Sequence, residues 1–239
     1  MEKGSGFDSR FEVWGDAPAS EAAYSDASSS ESAYRIQSSG LKRVMDIAIA
    51  FPVLVFVSPL LVAIYALIKI FDPGPALFRQ LRVGRDGRQF TVLKFRSMRV
   101  DAEVRLAQML ASDPAALEEW DRYQKLRNDP RVTFVGRILR RTSLDELPQL
   151  VNILRGEMSV IGPRPVTSSE IHRYGSAYPF YTAVRPGVLG LWQVKGRNRL
   201  TYPERIALDV KYVTTWTIWQ DLKIMTMAVP VVLLGLGAY

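Results

Sequence analysis

The chain has 239 residues, no cysteine, a single histidine (His172) and a formal net charge of +7. That length can enclose a real core. The composition excludes disulfides, thiolate metal sites and multi-histidine centres, so any metal would have oxygen ligands, which points to Mg²⁺ or a relative.

The charge is uneven: residues 1–40 carry a net −4 and the remainder +11. A body this basic suits polyanions such as nucleic acid, anionic lipid or a phosphorylated substrate, unless the surface is simply basic and soluble. No nucleic-acid motif organises the basic residues, so no nucleic-acid partner is expected. Residues 1–40 are rich in Ser, Ala, Gly and acidic groups and are expected to form a disordered tail, without the basic and apolar regions of a signal peptide.

A membrane element is expected over residues 41–72. Lys42 and Arg43 precede a run from Ile47 to Ile68 that carries no charge, about 33 Å as a straight helix. Pro52 and the Ser58-Pro59 pair interrupt it, and both flanks are basic. The positive-inside rule then places both ends on the cytoplasmic side, as in a re-entrant helix broken at Ser58-Pro59, with the Ser58 hydroxyl among the groups that satisfy freed carbonyls. A kinked spanning helix is the alternative.

Asp72-Pro73-Gly74-Pro75 ends that element. Phe78 to Val83 and Gln89 to Phe95 then flank an Asp86-Gly87 turn, which predicts a β-hairpin. Its basic residues, among them Lys94 and Arg96, are placed to meet headgroups or a phosphate. Residues 101–126 read as helix broken near Asp113-Pro114. A further apolar-faced element over 133–141 brings Arg140 close to the next stretch.

That stretch is Thr142-Ser143-Leu144-Asp145-Glu146-Leu147-Pro148. Leu147, Leu150, Val151 and Leu154 have helical spacing, Gly156 is a stop signal, and Pro148 belongs in a first turn. Asp145 and Glu146 are thus expected at a helix N-terminus. Ser143 and Glu146 also fit a capping box, so a purely structural reading and a catalytic one both stand. Gly162-Pro163-Arg164-Pro165 is a rigid loop presenting one guanidinium, a geometry that suits phosphate. Arg185-Pro186-Gly187 and Gly196-Arg197 repeat the theme. Residues 203–214 read as helix. The apolar end from Ile224 to Tyr239 is expected to lie on a membrane or on the body.

Several of these motifs, in order, resemble the bacterial sugar transferases, the monotopic polyprenyl-phosphate phosphoglycosyl transferases. They are Gly74-Pro75, Lys94-Phe95-Arg96-Ser97-Met98, Asp129-Pro130-Arg131, Asp145-Glu146-Leu147-Pro148-Gln149, Gly156-Glu157-Met158-Ser159, Gly162-Pro163-Arg164-Pro165, Arg185-Pro186-Gly187, Gly196-Arg197 and Asp221. The resemblance covers roughly residues 41–239. The family usually has Thr where Leu189 precedes Gly190.

The resemblance implies an α+β, predominantly helical fold. Its parts would be a re-entrant membrane helix, a small β-hairpin and membrane-docked amphipathic helices around the active site, with residues 73–239 as a catalytic domain facing the cytoplasm at the bacterial inner membrane. It implies that Asp145 attacks the β-phosphate of a UDP-hexose and that Glu146 associates with Mg²⁺. UMP would leave, and undecaprenyl phosphate would take the hexose 1-phosphate, as in initiation of exopolysaccharide synthesis with galactose or glucose. Lys94, Arg140, Arg164 and Asp221 match the family's other polar positions. With Arg96, Arg185 and Arg197 they make the expected substrate-binding set. Inner-membrane lipids, and a second copy of the chain, are further candidate partners. A non-enzymatic basic membrane adaptor and a conventional UDP-releasing glycosyltransferase are the alternatives.

Overall fold

The computed structural model describes residues 39–123, 126, 129–196 and 200–233. The expected tail, apart from residues 39 and 40, lies outside them, as do Arg197 and residues 234–239.

The first element, α1, runs from Gly40 to Phe71. Ser39 starts it by accepting from Lys42 N at 3.2 Å. Helical backbone continues through Pro52 and Pro59, so the expected break at Ser58-Pro59 does not interrupt the helix. Pro59 has no N–H for the carbonyl of Val55, four residues earlier. The Ser58 hydroxyl donates to that carbonyl instead, at 2.8 Å. This helix is long and apolar enough to cross a membrane.

Only the two ends of α1 are buried. Lys42, Asp46 and Ala50 enter the body at one end and Ile64 and Ile68 at the other, while Phe51, Val55, Phe56 and Val62 between them are exposed. Spacing of four residues at each end sets one helix face against protein.

The hairpin is formed by β1 (Leu77–Val83) and β2 (Gln89–Phe95), paired antiparallel with Phe78 opposite Lys94. Asp86 and Gly87 make the tight turn with positive φ, as the Asp-Gly pair requires. Helices α2 (Ala102–Ser112) and α3 (Pro114–Tyr123) follow, then α4 (Phe134–Thr142). Thr133 caps α4 by accepting from Gly136 N at 2.8 Å.

A 3₁₀ turn over Leu144–Glu146 leads into α5 (Gln149–Arg155), which Gly156 closes in the left-handed conformation. The face of α5 differs from the expected one. Leu150 and Leu154 are only partly buried, whereas Gln149, Asn152 and Ile153 go in. Asn152 explains the inversion. Its side chain accepts from Leu93 N (3.1 Å) and donates to Thr91 O (2.8 Å) and Glu157 Oε2 (2.6 Å). It thereby closes the outer edge of β2, which would otherwise leave buried backbone groups unpaired.

A second sheet was not foreseen. β3 (Ser159–Ile161) and β4 (Gly187–Leu189) pair in parallel, bringing the two Pro-Gly segments together. A Cβ on Gly187 would fall 2.1 Å from Gly162 N, so this crossing tolerates no side chain. The 3₁₀ segment Ser168–Ala177, α6 (Tyr178–Thr182), α7 (Leu191–Lys195), α8 (Tyr202–Thr214) and α9 (Ile218–Leu233) complete the main core. A smaller cluster of Ile64, Ile68, Ala76, Phe95 and Leu139 packs the far end of α1 against the hairpin and α4.

Candidate active site

Asp145 and Glu146 lie on the 3₁₀ turn that begins at Leu144, directly after Ser143, whose φ is 56°. The capping box is not formed. Ser143 makes no side-chain cap, and the α-helix begins only at Gln149. The two carboxylates therefore precede the helix and gain less from its dipole than expected, since that effect fades within a turn.

Glu146 Oε1 instead takes the Lys94 ammonium at 2.5 Å. The hairpin register sets this contact: Arg82, Val92 and Lys94 share one hairpin face, because side chains alternate along a strand and directly paired residues point the same way. All three line a cleft with Glu146, Gln149, Arg164, Pro165, Gly187, Val188 and Gln193. Arg164 is presented by the loop immediately after β3, as its Gly-Pro-Arg-Pro sequence led us to expect.

Asp145 is half-buried. Burial, and then the neighbouring Glu146 charge, push its carboxyl up to about 6; Lys94 and Arg140 pull the other way. Arg140 is held by the Ser97 hydroxyl, to which its Nε donates at 2.8 Å. Ser97 thus fixes the direction of a guanidinium next to Asp145, a role the sequence reading missed although Ser97 lies within the Lys94–Met98 motif. Arg82 was missed as well. It donates to Glu170 Oε2 at 3.1 Å and to Gln80 Oε1 at 2.7 Å.

The structure thus brings Lys94 and Arg140 to Asp145 and Glu146, and sets Arg164 in the cleft that Glu146 and Lys94 line. Three other members of the expected set are engaged elsewhere. Arg96 is buried at the exit of α1, donating to the Asp72 carbonyl with an ion pair to Asp72 Oδ2 at 3.1 Å. Arg185 donates to Gly156 O at 2.8 Å, and Arg43 donates to Ile153 O and Leu154 O, so the two arginines close the C-terminus of α5. Asp221 is fully buried, accepting from Lys42 Nζ (2.7 Å), Tyr212 (2.9 Å) and Trp216 Nε1 (3.1 Å). Arg197 lies outside the described residues.

Another buried carboxyl, Asp209, accepts from the Tyr174 hydroxyl at 2.9 Å, and burial pushes it up to about 8. Its place on α8 reads in sequence only as one more helical residue.

In chemical terms the cluster offers a carboxylate of raised basicity, a second carboxylate held by an ammonium, and two guanidinium groups. That set suits attack on a phosphate whose charge must be neutralised.

Comparison with known proteins gives this chain its relatives. The family described as "Bacterial sugar transferase" matches residues 37–235. The chain is 48% identical over 200 residues to the "Undecaprenyl-phosphate galactose phosphotransferase" of Salmonella typhimurium, covering 83% of this chain but 42% of that one. It is 47% identical over 198 residues to the "Exopolysaccharide production protein ExoY" of Rhizobium meliloti, covering 83% and 88%. It is 42% identical over 206 residues to the "UDP-glucose:undecaprenyl-phosphate glucose-1-phosphate transferase" of Caulobacter vibrioides, covering 83% and 72%.

Proposed function

The chain belongs to the bacterial sugar transferase family, and from that premise we propose that it transfers a hexose 1-phosphate from a UDP-hexose to undecaprenyl phosphate, as the first membrane step of exopolysaccharide synthesis. The observation that carries this reading is the placement of Lys94 and Arg140 beside the Asp145-Glu146 pair, with Arg164 lining the same cleft as Glu146 and Lys94. Relatives named for galactose and for glucose are both close, and the donor is a hexose of that pair.

The reaction divides into two displacements at one phosphorus. An Asp145 oxygen bonds to the β-phosphorus, the bond from that phosphorus to the bridging oxygen breaks, and UMP leaves with that oxygen. A phosphate oxygen of the lipid then bonds to the same phosphorus and releases the Asp145 carboxylate. Splitting the transfer in this way replaces one hard step by two easier ones. Burial helps Asp145 as nucleophile, because a carboxylate near 6 is more basic than an ordinary one and is still ionised at neutral pH. Lys94, Arg140 and Arg164 oppose the repulsion between the carboxylates and the phosphates.

The donor set fits Mg²⁺. A carboxylate together with substrate phosphate oxygens makes a ligand set this ion favours. Among the described residues no three His, Cys, Asp or Glu side chains converge. Glu146 would hold the ion, and it would neutralise charge on the transferring phosphate.

The test is product analysis. Membranes containing the protein should release UMP from UDP-glucose or UDP-galactose, and EDTA should stop the release. An adaptor would release nothing and a conventional glycosyltransferase would give UDP; metal-independent turnover would remove the role given to Glu146.

For topology we propose the re-entrant arrangement. Support comes from the packing of both ends of α1 on one body, with ion pairs Lys42–Asp221 and Arg96–Asp72 at either end. A bilayer between the two ends would have to pass through that body. Reporter tags at residues 5 and 239 should both be accessible only from the cytoplasm, and tags found on opposite sides would restore the spanning alternative.

A further inference from the structure

Gln149 is a buried polar residue at the edge of the cleft. It is 2% exposed and lines the cleft beside Glu146, Lys94 and Arg164. Asn152, Ser159 and Asp221, buried to a similar degree, each have several partners. The Gln149 side-chain amide has none among the described residues. A buried amide that opens into a substrate cleft is accounted for when the substrate itself completes its bonds.

We propose that Gln149 hydrogen-bonds hydroxyls of the hexose and thereby helps select the donor. The inference rests on the UDP-hexose reading above and assigns the sugar end of that site. Its chemistry is the first reason. The amide carries two donors and an acceptor but no charge, which matches neighbouring hydroxyls, whereas the cations of the cleft match phosphates. Depth is the second. Glu146 is 24% exposed at its side chain while Gln149, three residues on, is almost closed off. UMP must leave and a lipid phosphate must enter at the open side. The hexose stays bonded to the transferred phosphorus through both displacements, so it belongs at the closed end. Gln149 would then hold the sugar while it is carried on Asp145.

The test compares wild type with Gln149→Met, a variant of similar size without the amide, in UMP release from the preferred UDP-hexose and its monodeoxy derivatives. Wild type should lose about 10- to 100-fold in kcat/KM on the derivative that lacks the contacted hydroxyl, the scale of one buried hydrogen bond. Gln149→Met should show that loss already on the full sugar and little further loss on the derivative. Inhibition by UMP alone should be unchanged. The proposal is overturned if the variant still discriminates against every monodeoxy sugar as wild type does. It is equally overturned if UMP inhibition weakens along with turnover, which would put Gln149 at the nucleotide end. If Gln149→Met does not fold, as judged by thermal melting, Gln149→Asn withdraws the amide by one methylene and should give the same pattern. Wild-type protein that releases no UMP from any UDP-hexose would instead overturn the function, an outcome visible before any variant is made.

Discussion

Asp145→Asn is expected to lower UMP release by about a thousand-fold or more while the protein stays in the membrane fraction, because the amide has no anionic oxygen to attack phosphorus. The variant should also be more stable than wild type. Burial first, and the Glu146 charge second, raise Asp145 from 3.8 to about 6. An acid whose folded value lies above its unfolded value adds stability only while protonated. That stability is complete below the unfolded value and is lost as pH rises through the folded one. In EDTA, the melting temperature of Asp145→Asn should therefore exceed that of wild type at pH 8. The gap should close as pH falls from 6 to below 4. A variant that melts lower than wild type at pH 8 would show that the surroundings of Asp145 favour its charge. Turnover near the wild-type rate would end its assignment as nucleophile. Loss of activity with gain of stability is the pattern of a group kept for chemistry at a cost to folding.

The second large effect is expected where α1 enters the body. Asp221→Ala removes the carboxylate 2.7 Å from the buried Lys42 ammonium, leaves the Trp216 N–H without its acceptor, and leaves the Tyr212 hydroxyl only the Ile161 carbonyl. Asp46 Oδ1 stands 3.7 Å from Lys42 and already accepts from Ser159 and Val160 N, while its Oδ2 has no hydrogen-bond partner among the described residues, so Asp46 replaces only part of what Asp221 supplies. Breaking one half of a buried pair costs on the order of 3–5 kcal/mol, because the remaining charge stays out of water. The triple variant Lys42→Met, Asp46→Asn, Asp221→Leu removes all three buried charges and should be less damaged than Asp221→Ala alone. Denaturation in detergent micelles measures both. A cost below about 1 kcal/mol for Asp221→Ala would mean that solvent reaches the pair and that it does not fasten the helix.

The consequence reaches the active site. Lys42 Nζ and the Tyr212 hydroxyl also donate to the carbonyl of Ile161, at 3.0 and 3.1 Å. Ile161 is the residue before the Gly162-Pro163-Arg164 loop, so the base of the membrane helix touches the backbone that presents Arg164. At the other end of α1, Arg96 is clamped to Asp72 while its sequence neighbours Lys94 and Ser97 hold Glu146 and Arg140. Both ends of the helix are thereby tied to strands and loops that carry the cleft, which makes α1 part of the framework as well as an anchor.

Much of this arrangement was legible in the sequence, because it depends on local rules. Asp86-Gly87 fixes the hairpin turn, the uncharged run to Ile68 gives the membrane helix, and two prolines with a glycine make the Arg164 loop rigid. Asp145 and Glu146 stood out as adjacent carboxylates before an apolar helix. Tertiary structure decided which partner each polar group takes. Glu146 fits a capping box by spacing, yet an ammonium brought by hairpin register outcompetes one backbone N–H. The leucines of α5 look like its inner face, yet Asn152 turns inward because an open strand edge must be closed. Asp221 and Arg185 read as site residues by motif, but buried Lys42 and the end of α5 claim them. In each case the deciding contact joins residues far apart in the chain, and spacing along the sequence carries no information about such pairs.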